Sequence, residues 1–133
     1  MSAKWSPRRL AQVAALSLAS LALIVPTTAM AKDGDVIRRG ACSNHSDWKL
    51  KLSPENGQIE VEFEVDTPKI GQVWSVRLKQ NGVRFFKADR VTKSPSGSFS
   101  VRRVRPNTSG PDVFVGKAIN YKTGEVCRGT ATF

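Results

Sequence analysis

Histidine occurs once in these 133 residues, at His45, and cysteine only twice, at Cys42 and Cys127. A lone histidine in the polar link Ser43-Asn44-His45-Ser46 gives no spacing from which a nucleophile, base and orienting acid could be assembled. It reads as an exposed loop residue. Two cysteines and one histidine fall short of a tetrahedral zinc site. No phosphate-binding glycine loop or calcium loop is written in the chain. Helical periodicity, internal repeats and low-complexity stretches are also missing. An enzyme is therefore not expected, and neither is a metal or a cofactor. Acid is scarce as well, with 11 Asp and Glu against 21 Lys and Arg.

The first thirty residues have their own logic. Lys4, Arg8 and Arg9 form a basic start, Leu10 to Val25 is apolar and uncharged, and Pro26 ends the run. Ala29-Met30-Ala31 then offers a small-x-small cleavage site, completing the pattern of a secretory signal peptide. The apolar run is shorter than the roughly 20 residues that a membrane span needs. Cleavage after Ala31 divides the chain into a 1–31 leader and a 32–133 domain, without a transmembrane span in the mature protein. The leader removes three basic residues and no acidic one, leaving a mature charge of +7. The expected location is outside the cytoplasm, secreted or held at the cell envelope. There, an even cysteine count predicts one disulfide, Cys42–Cys127.

Period two dominates the mature part. Trp48, Leu50 and Leu52 alternate with Asp47, Lys49 and Lys51. Ile59, Val61, Phe63 and Val65 alternate with Glu60, Glu62 and Glu64. A four-residue Pro54-Glu55-Asn56-Gly57 loop between them predicts Leu52 opposite Ile59, Lys51 opposite Glu60 and Trp48 opposite Phe63. The lysine and glutamate rows then form a solvated face, not a catalytic carboxylate pair. Asn81-Gly82 marks a second hairpin, whose side-chain pattern demands a three-residue loop or a bulge. Pairing Val76 with Phe86 and Trp74 with Ala88 fits best. A strand follows over Ser98–Arg105, with Phe99 and Val101 inward. A last hairpin turns at Tyr121-Lys122-Thr123-Gly124, with Ala118 opposite Cys127 and Gly116 opposite Gly129. The small residues beside Cys127 are expected to make room for the cystine. With an early strand at Val36–Cys42, this predicts an all-β antiparallel sandwich of seven or eight strands.

The rhythm resembles an immunoglobulin or fibronectin type III sandwich, although the cystine is not placed between central strands as in immunoglobulins. The segment Asn120 to Gly129 (N-Y-K-T-G-E-V-C-R-G) and the arginine-rich strands resemble small secreted proteins of actinobacteria. That resemblance implies the fold and compartment and carries no function with it. Neocarzinostatin-like chromophore carriers are similar in size and fold but have two disulfides.

Two surface features remain. Arg102, Arg103 and Arg105 crowd one strand, and Arg84, Lys87, Arg90 and Lys93 crowd another that should pair or neighbour it. Arg84, Lys87, Arg102, Arg103 and Arg105 are thus the expected polyanion-binding stripe. Val115, Ile119, Tyr121 and Val126 form an expected outward apolar strip for a partner. The function expected is a secreted non-enzymatic binding module for an anionic cell-envelope polymer or a secreted or surface protein, ahead of nucleic acid. The alternatives are an inhibitor or antimicrobial protein, with the 106–111 connection as inhibitory loop, and a carrier of a small hydrophobic ligand.

Overall fold

A computed structural model describes residues 31–133, so the leader expected at 1–31 lies almost wholly outside the described residues. The strands are β1 (Val36–Ala41), β2 (Asp47–Glu55), β3 (Gln58–Asp66), β4 (Val73–Gln80), β5 (Val83–Val91), β6 (Ser98–Pro106), β7 (Val113–Asn120) and β8 (Val126–Thr132). They form two antiparallel four-stranded sheets, ordered β1-β2-β3-β6 and β5-β4-β7-β8. The chain fills three strands of the first sheet, crosses for the β4–β5 hairpin, returns for β6, and crosses again for β7–β8. This is the Greek-key interleaving of an immunoglobulin-like β-sandwich.

Alternation builds the core. Leu50, Leu52, Ile59, Val61, Phe63 and Val65 turn inward from the first sheet and are fully buried. Trp74, Val76, Leu78, Phe114, Ala118 and Cys127 meet them from the second. The Cys42–Cys127 disulfide joins the end of β1 to β8, two edges that face each other across the sandwich.

The first hairpin departs from expectation by two residues. Leu50 pairs with Phe63, Leu52 with Val61, Lys51 with Glu62 and Trp48 with Val65. The loop is the dipeptide Asn56-Gly57 alone, with φ of 48° and 76°. Positive φ at both positions matches the turn twist to the strand twist, which favours the two-residue loop over the four-residue one. A slip of two leaves every side chain on its predicted face. At the second hairpin Asn81-Gly82 makes the same turn, and a bulge follows between Leu78 and Lys79. The extra residue is Phe85 on β5, so Val76 pairs with Ala88 and Trp74 with Arg90, opposite in direction to the expected shift. Phe85 and Phe86 both turn toward the interior, and Phe85 meets the Phe114 ring edge-on at 6.2 Å. The β7–β8 register is as expected, with Ala118 opposite Cys127 and Gly116 opposite Gly129.

The glycines, however, make room for rings and not for the cystine. A Cβ on Gly116 would stand 2.6 Å from the Phe63 ring, and one on Gly40 2.7 Å from the Trp48 indole. Gly129 presses the same indole from the other sheet.

Candidate functional site

The outer faces of the two sheets carry their charge differently, mixed on the first and almost wholly cationic on the second. On the first sheet most cations are matched by carboxylates, Arg39 being unpaired among the described residues. Arg102 binds Glu62 at 2.8 Å and Glu60 at 3.6 Å, Lys49 lies 3.2 Å from Glu62 and 3.4 Å from Glu64, and Lys51 lies 3.3 Å from Asp35. Glu62 is nearly buried, so its surroundings are drier than the solvated row expected from sequence. Burial alone would push its carboxyl up, but the Arg102 hydrogen bond and the Lys49 charge hold it below the ordinary range. The same contact raises the Arg102 guanidinium.

On the second sheet, Lys87 on β5 pairs with Arg77 on β4, Arg77 with Lys117 on β7, and Lys117 with Arg128 on β8. One cation from each strand thus stands in a row across the whole sheet. Each is exposed, while Val76, Leu78, Gly116, Ala118, Cys127 and Gly129 beside them are buried. Strands lie about 4.8 Å apart, so the row spans roughly 14 Å. Arg84 and Lys79 pair one position further along and extend it. None of these six cations joins an ion pair among the described residues. The face holds one carboxylate, Asp89, which accepts a 2.8 Å hydrogen bond from the Tyr121 hydroxyl.

The expected stripe is therefore divided. Arg84 and Lys87 belong to this face, whereas Arg102 lies on the other sheet with its charge engaged by Glu62 and Glu60. Strand β6 pairs with β3 and not with β5, so β5 and β6 are edges facing one another across the sandwich. Arg103 and Arg105 point into that seam. Their guanidinium carbons stand 4.5 Å from the centroids of Phe86 and Phe85 respectively, and Arg90 lies 5.3 Å from Phe86. Sequence reasoning missed Arg77, Lys79, Lys117 and Arg128. Arg77, Lys117 and Arg128 each alternate with apolar or small residues, but which strands are neighbours is not a local property.

The expected apolar strip is also interrupted. Val115, Ile119 and Val126 are half-buried on the outer face and Tyr121 is exposed, but the Lys117–Arg128 pair separates Val115 from Ile119 and Val126. Exposed Ile70, Val73 and Val91 sit at one end of the same sheet and were not foreseen.

Two loops are held by carboxylates. Glu125 accepts from the amides of Asn44 and Ser46 and from the Ser46 hydroxyl at 2.7–3.0 Å, leaving His45 exposed on the loop surface. Asp112, fully buried, accepts from Thr108, Gln80 and Asn81 and ties the 106–111 loop to the sandwich. Burial favours its neutral form, but these hydrogen bonds together lower its pKa. No group of three or more His, Cys, Asp or Glu is placed to hold a metal ion among the described residues. No helix among them is long and apolar enough to cross a membrane.

No protein-family model, curated protein or solved structure matches this chain.

Proposed function

We propose that this domain is a secreted, non-enzymatic binding module that grips an anionic cell-envelope polymer with the outer face of β5-β4-β7-β8. The observation that carries the reading is the four-strand row Lys87, Arg77, Lys117 and Arg128, free of ion pairs among the described residues. Like charges gathered on a rigid sheet repel one another and do nothing for the fold. A polyanion laid across them relieves that repulsion. The first sheet supports the contrast, because Lys49, Lys51 and Arg102 on its outer face are paired with acid and Arg39 alone of that face's cations joins no ion pair among the described residues.

Immobilised polyphosphate tests the reading. The protein is expected to be retained at low salt and released at moderate salt. Arg77→Glu with Lys117→Glu should weaken retention roughly tenfold, while Arg39→Glu on the first sheet should leave it nearly unchanged. No retention at low salt, or equal loss in both variants, would sink it. A carrier function draws less support, since Trp74, Phe63 and Phe114 fill the space between the sheets.

A further inference from the structure

One end of the second sheet carries apolar side chains that the fold leaves in water. Ile70 is 59% exposed, Tyr121 63%, Val73 41% and Val91 43%. They come from three segments stitched into one surface. Val73 pairs with Val91, the Tyr121 amide donates to the Val73 carbonyl, and the Gly71 amide donates to the Thr92 carbonyl. The base beneath Ile70 is firm. Buried Thr92 donates its hydroxyl to the Lys69 carbonyl at 2.7 Å and accepts from the Gln72 amide at 2.9 Å. Thr67, also buried, donates to the Lys69 carbonyl and its amide reaches the Gly97 carbonyl. Ile70 is thus presented by a braced loop.

The exposed charges around this apolar end on the second-sheet side are three lysines and one carboxylate. Lys69, Lys93 and Lys122 are exposed on the same three segments, and none is ion-paired among the described residues. Asp89 is the nearest carboxylate on that face and is occupied by Tyr121. Asp47 and Asp66 stand on the first-sheet side of the same end. The arrangement is a cluster of apolar side chains fringed by three lysines, with Asp89 hydrogen-bonded at its rim and Asp47 and Asp66 on the first-sheet flank.

We propose that this end docks on an anionic lipid surface. Ile70, Val73, Val91 and Tyr121 enter the boundary between headgroups and acyl chains, and Lys69, Lys93 and Lys122 meet the phosphates. Apolar side chains gain by leaving water, and lysines gain from a negative leaflet. The carboxylates at Asp47 and Asp66 tilt the domain so that its second sheet leans toward the lipid. A soluble polyanion would use the lysines but has no place for Ile70. A tyrosine at the rim suits the same boundary, with its ring in an apolar layer and its hydroxyl in a polar one.

The test uses residues 32–133, which contain every strand and core residue among the described residues and the cystine. Co-sedimentation compares vesicles of phosphatidylglycerol mixed with phosphatidylcholine against phosphatidylcholine alone. Binding is expected to be at least about tenfold stronger to the anionic vesicles, and part of it should survive about 0.5 M salt, because apolar contact is not screened. Ile70→Ser with Tyr121→Ser should lower vesicle binding about tenfold and leave polyphosphate retention nearly unchanged, because neither substitution alters the charge. No binding to anionic vesicles would overturn the proposal. So would binding that survives in that variant and disappears in Arg77→Glu with Lys117→Glu, since the sheet face alone would then act as a polycation. Failure of the unmutated domain to be retained on polyphosphate at low salt, with vesicle binding intact, would count against the polymer reading and leave this one standing.

Discussion

The guanidinium carbon of Arg103 lies 4.5 Å from the centroid of the Phe86 ring, and the contact runs from one sheet to the other. Arg90 approaches the same ring, and Arg105 covers Phe85 while donating to Gln80 at 3.1 Å. The sandwich therefore has two differently closed seams. A disulfide fastens β1 to β8, and arginines laid over phenylalanines cover the gap between β5 and β6.

Arg103→Ala is expected to destabilise the fold by about 1 kcal/mol, the ordinary size of a partly desolvated cation–π contact. Urea unfolding measures it. Replacing Arg102, Arg103 and Arg105 together should lower stability further, because Glu62 loses its closest partner. If the triple variant kept wild-type stability and lost polyphosphate retention, the structural role assigned to these arginines would be wrong.

Removing the disulfide with Cys42→Ala and Cys127→Ala should cost about 4 kcal/mol, from the freedom regained by an unfolded chain no longer closed across 85 residues. The midpoint of chemical unfolding should fall with little change in circular dichroism under native conditions. A change below about 1 kcal/mol would mean that the crosslink constrains the unfolded state far less than its span implies.

Acid should destabilise the domain through Glu62 and Asp112. Both carboxyls have folded values below their unfolded ones, so their stabilisation is present above the unfolded value and lost as pH falls through the folded value. Thermal stability should accordingly hold from about pH 7 to 5 and decline below about pH 4. Glu62→Gln and Asp112→Asn should each flatten that decline while lowering stability at neutral pH. An unchanged acid slope in both variants would place the sensitivity elsewhere.

Gly116→Ala should destabilise by about 1–3 kcal/mol, since the added methyl would meet the Phe63 ring. Shrinking that ring with Phe63→Leu should make the second substitution less costly in the Phe63→Leu background. Strict additivity in the double-mutant cycle would contradict the packing described.

Asp89→Asn should strengthen polyphosphate retention about twofold by removing the one carboxylate from the basic face. The control is Tyr121→Phe, which removes the hydroxyl at Asp89 and leaves the face charge unchanged. Equal retention by wild type and Asp89→Asn would argue that the bound polymer lies clear of that end.

Much of the fold was legible because a strand side chain faces one way or the other with period two. The inward set of Leu50, Leu52, Val61 and Phe63 survived an error of two residues in the hairpin register, since an even slip does not change faces. The β7–β8 register was also readable, because its turn sequence and its run of small residues agree. The short loop at Asn56-Gly57 was hidden by the turn-forming residues before it.

The sequence alone determined that the chain makes two-faced strands, where most of them turn, and that its two cysteines have only each other. Those properties depend on neighbours a few residues away. Which strands far apart in the chain lie side by side was decided only by the tertiary structure, because it depends on packing the whole buried set, Trp74, Phe63 and Phe114 included, between two sheets at once. That packing sent β6 to the first sheet and Arg102 with it, turned Arg103 and Arg105 into clasps, and aligned Lys87, Arg77, Lys117 and Arg128 from four strands into one row.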